Sequence, residues 1–326
     1  MNQKFVDFMQ PYLSEKIAVA VSGGVDSVCL LHWLKDIGAD IVCLHVNHGL
    51  RAAADSEEDY VREICDGMRV PFFSFHWTDE KPASNLEAAA RDARYGMMTA
   101  FCRENGIKNL AVAHQADDQI ETFLMNLARG SGLAGLAAMR GVSVRDGVRI
   151  LRPLLGVHRA ELVGYCTANG IRYFSDEMNE DAKYTRVRMR QNRHLLSRDL
   201  GISDARILLA IENLGRMRDA MDADIESMVQ DVTGDGYAMF SDSFLFDLPA
   251  DIGLKLLGTL IQKIGGDRYR PRLDALRGAM VRLGADCKFT LGHCTLRRLR
   301  GRILIVPEGA KTTFRKRNGK EKKKCF

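Results

Sequence analysis

The segment IAVAVSGGVDS (residues 17–27) passes from a short apolar run into a turn of serine and glycine. Residues 17–21 are apolar and partly β-branched, which is typical of a buried strand. After the turn, apolar side chains take helical spacing at Val28, Leu31 and Leu34. A strand, a glycine turn and a helix in this order predict an anion-binding turn. Glycine lets the backbone approach a ligand closely, and the helix start offers free N–H groups.

The same alternation of strands and helices continues to about residue 130. Further strands are predicted at 41–46, 70–77 and 109–114, with helices at 55–68, 85–105 and 117–129. The strands read as unbroken apolar runs, which favours a parallel sheet covered by helices on both faces. The fold class predicted is therefore α/β, with a doubly wound, mostly parallel, Rossmann-like sheet.

The second half of the chain has a different pattern. A strand is predicted at 148–155, a helix at 158–169, a polar loop at 175–185, and a long helix over roughly 203–230. After a Gly-Asp-Gly break, the order becomes strand, helix, helix, strand, strand. We predict four parts: a catalytic domain at 1–200, a helical linker at 201–235, a small α+β domain at 236–310 and a basic tail at 311–326.

Composition and charge exclude several classes of protein. Hydrophobic residues make up 46% of the 326 residues and charged residues 27%, typical of a soluble globular protein. No apolar stretch approaches ~18 residues, so a membrane-spanning helix is not expected. The N-terminal MNQKFVDFMQ lacks the apolar run of a secretory signal. The eight cysteines include no C-x-x-C pair, and most lie in apolar runs, as expected in a reducing cytoplasm.

The positive charge is concentrated in the tail. Residues 311–326 contain eight basic residues and one Glu, a net charge of +7, so residues 1–310 carry −2 of the total +5. Such a tail attracts nucleic acid without sequence preference, or it is simply a solvated segment.

The sharpest chemical signal is SGGVDS. Its candidate ATP-binding residues are Ser22, Gly23, Gly24, Val25, Asp26 and Ser27. No lysine follows the glycines, so the turn is not a Walker A loop. A phosphate turn without that lysine suits an enzyme that holds pyrophosphate and cleaves ATP between the α and β phosphates. The alternative is an ordinary glycine turn with serine capping.

A second signal, HQADDQIE (residues 114–121), follows the strand predicted at 109–114. It lies at the carboxyl edge of the sheet, where ligands bind in such folds. Asp118 and Glu121 are three residues apart on one helical face and are candidate ligands for Mg²⁺. The alternative is that an acidic pair at this spacing serves as a helix capping box.

Basic residues supply the candidate substrate contacts. In HVNHGLR (residues 45–51), His48 and Arg51 follow a strand at the same sheet edge. Arg91 and Arg94 share one face of the helix at 85–105. Arg186, Arg190 and Arg193 form a stripe on a later helix, which fits a phosphate backbone or an acidic substrate. Each group is equally consistent with a solvated polar surface.

Together these motifs carry a family resemblance. SGGVDS after a strand resembles the PP-loop of the N-type ATP pyrophosphatases. HVNHGLR, NLEAAARDARY (residues 85–95), AHQADDQIETFLMNLARGSGLAGL (residues 113–136) and DAKYTRVRMR (residues 181–190) resemble the tRNA(Ile)-lysidine synthases. The likeness covers most of residues 17–196 in the same order, and the C-terminal part is more weakly similar to the appended domain of that family.

The resemblance implies an activity and its partners. The family uses ATP, with Mg²⁺, to adenylate the C2 carbonyl oxygen of the wobble cytidine in a tRNA(Ile) with a CAU anticodon; the amine of free L-lysine then attacks C2 and displaces AMP. It implies catalytic roles for Asp26, Asp118 and Glu121, with the last two as metal ligands. The remaining implied residues are His114 at ATP and His48, Arg51, Arg91, Arg94, Arg186 and Arg190 at tRNA. No membrane partner is expected, and the sequence allows a homodimer.

Three positions depart from the family pattern. The chain has Asp-Glu-Met-Asn at 176–179 instead of Asp-Pro-Ser-Asn, Val187 after Arg186 instead of Asn, and Asn47 where Asp or His is frequent. The first two lie in the region that the resemblance associates with substrate binding. The alternatives left open are another PP-loop enzyme, such as NAD synthetase, or a non-catalytic tRNA- or nucleotide-binding module. A thiolation enzyme lacks its C-x-x-C here, and a glutaminase domain has no expected room.

Overall fold

The computed structural model describes residues 2–49, 54–78, 82, 86–174, 185–267 and 269–310. The predicted loop at 175–185, apart from Thr185, lies outside the described residues, as do Arg51 and the tail. The chain divides into two compact units, Met1–Arg216 and Met217–Phe326. The four-part division predicted from the sequence stays a prediction.

The first unit is built around a sheet of six strands in the described residues. The strands are β1 (Ile17–Ala20), β2 (Ile41–Asn47), β3 (Phe72–His76), β4 (Asn109–Ala111), β5 (Val142–Arg145) and β6 (Val148–Leu151). The helices are α1 (Gln3–Met9), α2 (Val25–Asp36), α3 (Ala54–Met68), α4 (Leu86–Glu104), α5 (Ala116–Ala128), α6 (Leu133–Leu136), α7 (Arg159–Ala168) and α8 (Thr185–Leu200). A further helix, α9 (Asp204–Val232), contains the boundary between the units.

The strand order is β3-β2-β1-β4-β6-β5. Every neighbouring pair is parallel except β5 with β6, and Ile17 of β1 pairs with Ile41 on one side and Asn109 on the other. This confirms the predicted doubly wound, mostly parallel sheet. The chain direction across the sheet reverses between β1 and β4, which places a ligand-binding crevice at their carboxyl ends.

Apolar side chains from the central strands enter separate cores on the two faces. In β1, Ile17 and Val19 belong to a core with α2, whereas Ala18 belongs to a core with Tyr95 and Met98 of α4. Because successive strand residues point to opposite faces, an unbroken apolar run buries both. The edge strand β3 is the exception, since its residues are only half-buried or exposed.

Two local predictions need correction. The strand expected at 148–155 ends at Leu151 and has an antiparallel partner, β5, that the sequence reading missed. Asp146 and Gly147 link the two strands with positive φ at both positions, 51° and 81°. This is the two-residue turn that favours a hairpin. The sequence also predicts Asp55 as the N-cap of the helix at 55–68, but this helix begins at Ala54, so Asp55 lies in the first turn of α3.

The second unit has its own sheet and core. It contains β7 (Thr233–Gly234), β8 (Tyr237–Ser241), α10 (Ser243–Phe246), α11 (Ala250–Gly265), α12 (Leu273–Gly284), β9 (Phe289–Leu291), β10 (Cys294–Leu299) and β11 (Arg302–Pro307). The antiparallel strands lie in the order β7-β8-β11-β10-β9. Leu257 and Leu260 of α11 pack with Leu296 and Ile305 of the sheet. Among the described residues, no helix is long and apolar enough to cross a membrane.

Candidate functional site

The turn after β1 is braced by its own two serines. The backbone N–H of Ser22 donates to Ser27 Oγ at 3.1 Å, and Ser27 Oγ donates to the Gly24 carbonyl at 3.0 Å. Gly24 is the N-cap of α2, and within the described residues no side chain caps it. The start of α2 is therefore not closed by a side-chain cap, an arrangement that suits an anion.

Gly23 holds the turn in a conformation that favours glycine. Its φ is +89°, and its carbonyl accepts a hydrogen bond from the Phe174 N–H at 3.0 Å. A β-carbon there would lie 3.6 Å from the Phe174 ring and 3.7 Å from Val61, which is ordinary contact. The requirement for glycine thus comes from the backbone angle and not from lack of space.

Asp26, in the first turn of α2, carries an unsatisfied buried carboxylate oxygen. Its Oδ1 has no hydrogen-bond partner among the described residues. Burial raises the pKa of Asp26 to about 6, and the negative charges of Asp118 and Asp117 add to that effect against Arg159 and Arg190. A carboxylate that lacks a partner beside further carboxylates fits a divalent cation with oxygen ligands.

The two predicted metal ligands occupy different environments on α5. Asp118 Oδ2 accepts the Gln115 N–H at 3.1 Å and completes a capping box with the Gln115 side chain. Glu121 is fully buried, and its Oε1 accepts a hydrogen bond from Arg190 Nε at 2.7 Å. The capping alternative therefore operates at Asp118, but with Gln115 as its partner and not Glu121.

A second ion-pair group joins α5 to α8. The Arg193 guanidinium lies 2.5 Å from Asp117 Oδ1 and 3.2 Å from Asp204 Oδ2, and the Arg159 N–H donates to Asp117 Oδ2 at 2.9 Å. Burial opposes ionisation of Asp117, but these donors hold its pKa below the usual value. Asp117, His158 and Asp204 have the spacing of metal ligands. The Arg193 guanidinium contacts both carboxylates, so the cluster is an ion-pair network.

Arg190 and Arg193 extend from one face of α8 toward the acidic residues of α5. Two of the three arginines of the predicted stripe, Arg190 and Arg193, are therefore paired with carboxylates. Arg186 lies in α8, but its side chain is outside the described residues, as are Val187 and the departing residues 176–179.

One residue of HVNHGLR that the sequence reading left without a role, His45, positions the turn. His45 is buried, and its Nδ1–H donates to the Val21 carbonyl at 2.8 Å, directly before Ser22. Burial lowers the pKa of His45, so the ring is neutral near pH 7. A histidine on a fully buried strand is the signal that could have identified this contact.

Asn47 explains one departure from the family pattern. Its Nδ2 donates to Asp55 at 2.9 Å and to Glu58 at 3.3 Å, while its Oδ1 accepts the Gly49 N–H at 2.9 Å. An amide can donate to two carboxylates, whereas Asp at this position would repel both. His48, next along the chain, has its ring edge-on to Trp77 at a centroid distance of 6.0 Å.

Arg91 and Arg94 belong to α4, which packs on the face of the sheet opposite to α2. Arg91 and Arg94 of α4 lie 5.3 and 5.8 Å from the ring centroid of Tyr95. His114 follows β4 at the carboxyl edge of the sheet and is half-buried. The fold thus brings the turn of β1, the acidic helix after β4, and His48 to one sheet edge.

These features define the class of protein. Residues 1–195 match the family model of the PP-loop domain, in agreement with a lysine-free glycine turn at the topological switch point of a parallel sheet. The U34-tRNA thiolase NcsA from Methanococcus maripaludis superposes with a TM-score of 0.57 and 18% identity, over 66% of this chain and 78% of that one. This likeness supports the fold.

Curated relatives specify the family. The tRNA(Ile)-lysidine synthase of Ruegeria pomeroyi is 36% identical over 312 residues, covering 90% of this chain and 74% of the relative. The enzymes of the same name from Wolbachia pipientis wMel and Methylobacterium nodulans are 34% and 31% identical and are covered over 72% and 93% of their lengths. The chain belongs to the tRNA(Ile)-lysidine synthase family of PP-loop enzymes, which confirms the resemblance drawn from its motifs.

Proposed function

We propose that this enzyme ligates L-lysine to C2 of the wobble cytidine in a tRNA(Ile) with a CAU anticodon, producing lysidine, AMP and pyrophosphate. The observation that supports this most directly is the serine-braced SGGVDS turn beside Asp26, in a chain 36% identical over most of its length to a named tRNA(Ile)-lysidine synthase. The named relatives supply the substrate class, and the turn supplies the site for ATP.

The reaction proceeds in two displacements. The C2 oxygen of the cytidine attacks the α-phosphorus of ATP, the bond to the bridging oxygen breaks, and pyrophosphate leaves. The lysine Nε then attacks C2, the C2–O bond breaks, AMP leaves with that oxygen, and the amine loses a proton. Adenylation is needed because the carbonyl oxygen is by itself a poor leaving group.

The turn after β1 would hold the departing pyrophosphate. The backbone amides of Gly23, Gly24 and Val25 sit at the start of α2, where aligned N–H groups favour an anion. The Ser22 hydroxyl, 3.2 Å from Ser27 Oγ, could turn to supply a further donor, while the Ser27 hydroxyl braces the turn through the Gly24 carbonyl. Because these groups are already held in place by bonds within the turn, little reorganisation is required when negative charge develops.

The acidic residues would hold Mg²⁺. Asp118 and Glu121 stay the proposed ligands. Asp26, whose pKa is raised by burial and further by the charge of Asp118, would add a carboxylate oxygen that has no hydrogen-bond partner among the described residues. A bound Mg²⁺ supplies charge neutralisation on the phosphates. Glu121 accepts the Arg190 bond through Oε1, so a metal held by Glu121 would have this arginine close by.

The basic residues would position the RNA. Arg91 and Arg94 on α4, together with Arg190 on α8, are charged groups close to the crevice, and His48 lies at the end of β2. Arg51 and Arg186 are proposed for the same role from the family resemblance alone. His114, after β4, is proposed at the nucleotide.

The direct test is to incubate the protein with ATP, Mg²⁺, lysine and tRNA(Ile) bearing CAU. We expect pyrophosphate release that depends on this tRNA, and lysidine in the digested RNA. Pyrophosphate release with ammonia and deamido-NAD instead would favour an NAD synthetase. Binding of tRNA without any turnover would favour a non-catalytic module.

Asp118→Ala tests the acidic residues within that assay. We expect pyrophosphate release to fall by about a hundredfold to a thousandfold, the scale of loss for a key electrostatic group, while tRNA binding persists. Asp66→Ala, which removes an exposed carboxylate on α3, is the matched control and should retain activity. Full activity of Asp118→Ala would reject the metal assignment.

A further inference from the structure

A short segment after α7 lies against the turn that follows β1. It reaches the turn at Phe174, whose N–H donates to the Gly23 carbonyl at 3.0 Å. Phe174 also forms an isolated parallel bridge with Gly24. Strand β1 ends at Ala20, so this contact holds a part of the turn that lies beyond the strand. Phe174 belongs to none of the motifs that the sequence marks as functional.

The bond from Phe174 fixes the direction of the next amide. The Gly23 carbonyl and the Gly24 N–H belong to one trans peptide unit, which is planar, so the two groups point in opposite directions. Because the carbonyl points toward Phe174, the Gly24 N–H points to the other side of the turn. Within the described residues, no group accepts a hydrogen bond from the Gly24 N–H. This amide is therefore aimed by Phe174 and remains open to a ligand.

The turn shows the same arrangement two peptide units earlier. The Val21 carbonyl accepts the His45 Nδ1–H at 2.8 Å, and the Ser22 N–H of the same peptide unit points the other way, to Ser27 Oγ at 3.1 Å. In both units a donor from outside the turn holds the carbonyl and thereby directs the amide. The difference is that the Ser22 amide has an acceptor within the turn.

Tyr60 of α3 holds Phe174 in place. Its hydroxyl donates to the Arg172 carbonyl, and its ring meets the Phe174 ring edge-on at a centroid distance of 5.2 Å. The Arg172 guanidinium lies 5.8 Å from the Tyr60 ring centroid and 3.7 Å from the Glu63 carboxylate on the same helix. Phe174 is 36% exposed, so its position depends on these contacts more than on burial.

We propose that Phe174 and Tyr60 are positioning residues that aim the Gly24 N–H at the departing pyrophosphate. This rests on the proposed function, in which the turn holds pyrophosphate, and it adds two residues to that site. A donor that is already aimed needs no reorganisation when negative charge develops. Without the bond from Phe174, the Gly23–Gly24 peptide could rotate, because glycine restricts the backbone little on either side of it.

The test measures binding of ATP and of AMP to the full-length protein by calorimetric titration with Mg²⁺, without tRNA or lysine. Phe174→Pro removes the aromatic ring and the N–H, whereas Phe174→Ala removes only the ring. We expect ATP to bind about tenfold more weakly to Phe174→Pro than to Phe174→Ala, the scale of one lost hydrogen bond to a charged group. AMP lacks the β and γ phosphates, so it should bind equally to both variants.

Tyr60→Phe is a second, milder variant, because it keeps the ring and removes only the bond to the Arg172 carbonyl. It should weaken ATP binding about threefold and leave AMP binding unaltered. It decides the question if thermal unfolding shows that Phe174→Pro does not fold. Phe73→Ala is the matched control: Phe73 on β3 is 43% exposed and packs on Phe101 at a centroid distance of 4.6 Å. This variant should bind ATP as the unaltered protein does.

Two results would overturn the proposal. One is equal ATP affinity of Phe174→Pro and Phe174→Ala or, if the proline variant does not fold, of Tyr60→Phe and the unaltered protein. The other is an equal loss of ATP and AMP affinity, which would mean that the contact does not act on the pyrophosphate. The proposed function fails in a different way: a protein that shows the expected ATP affinities but forms no lysidine would reject the ligation and leave the positioning roles intact.

Discussion

The Asp26 carboxylate affects the stability of the fold as well as the charge of the candidate site. It is half-buried, and loss of water raises its pKa from 3.8 to about 6. A raised pKa means that the folded protein disfavours the ionised form. Stability is therefore greatest below the unfolded pKa, near 4, and is lost as the pH rises toward and beyond 6.

Asp26→Asn should consequently stabilise the ligand-free protein in a pH-dependent way. The amide removes the cost of a buried charge, so we expect a gain of about 2 kcal/mol at about pH 8 and none at about pH 4. Urea unfolding at the two pH values measures it. Asp66→Asn, at an exposed site, should show no such trend. An equal gain at both pH values would mean that the effect comes from packing and not from charge.

The Glu121–Arg190 ion pair also links a buried carboxylate to the stability of the fold. Here the carboxylate has a partner, so removing that partner should destabilise the protein. Glu121 is fully buried, whereas the Arg190 side chain is 36% exposed. Arg190→Ala would leave a buried carboxylate without its guanidinium. We expect a loss of about 2 kcal/mol, less than the ~3–5 kcal/mol of a fully buried pair, because solvent screens the exposed partner.

Chemical unfolding of Arg190→Ala, Glu121→Gln and the double variant measures the coupling. The double variant should be more stable than the sum of the single changes implies, because the substituted amide no longer carries a charge that needs Arg190. Arg198→Ala, which breaks an exposed ion pair with Asp199, is the control and should leave stability unaltered. Additive losses would show that the pair is not a unit.

At the scale of elements, the turn between β1 and α2 depends on backbone conformation. Gly23→Ala has room for its methyl group but must adopt φ of +89°. We expect a destabilisation of ~1 kcal/mol and a marked loss of ATP affinity as the turn relaxes. Calorimetric titration with ATP and thermal unfolding would measure the two effects.

Gly164→Ala is the matched control for that substitution. Gly164 lies on the exposed face of α7, where a β-carbon meets nothing within 4 Å. Alanine there should raise stability by ~0.5–1 kcal/mol and leave ATP affinity unaltered, since alanine is the better helix former. If both variants lost ATP affinity equally, the effect at Gly23 would not be specific to the turn.

Elements were predictable where the pattern was long and local. The apolar runs of β1, β2 and β4 and the helices between them match the reading of the sequence closely. The missed strand β5 has exposed and half-buried residues, because it forms the edge of the sheet. An edge strand needs little apolar content, so its Asp146-Gly147 turn was the better signal.

At the scale of the whole molecule, the positive charge is distributed unevenly along the chain. Residues 1–310 carry a net −2, and residues 311–326 carry +7. Residues 1–310 are therefore nearly neutral, and the excess positive charge of the chain lies in the tail.

Removal of residues 311–326 should weaken tRNA binding several-fold near 0.1 M salt and reduce its salt dependence, because fewer counter-ions are released. Catalysis at saturating tRNA should not change. A neutral tail of glycine and serine of equal length controls for excluded volume. Identical salt slopes with and without the basic tail would show that it is only a solvated segment.

The sequence by itself determined the parallel sheet, the position of the phosphate turn and the acidic helix. These are local patterns: a strand, a glycine at positive φ and a helix start lie within eleven residues of one another in IAVAVSGGVDS. Backbone propensities and the period of apolar side chains specify such features without reference to distant parts of the chain.

Tertiary structure alone decided which charges meet. Arg190 reaches Glu121 across 69 positions, and Arg193 joins Asp117 to Asp204. Arg152 gathers with the arginines of α4 because β6 and α4 pack together. Ion pairing depends on distance in space and on removal of water, and neither can be read from spacing along the chain. Most of the charged candidate residues could therefore be picked out from the sequence. Which of them form ion pairs with each other depended on the fold.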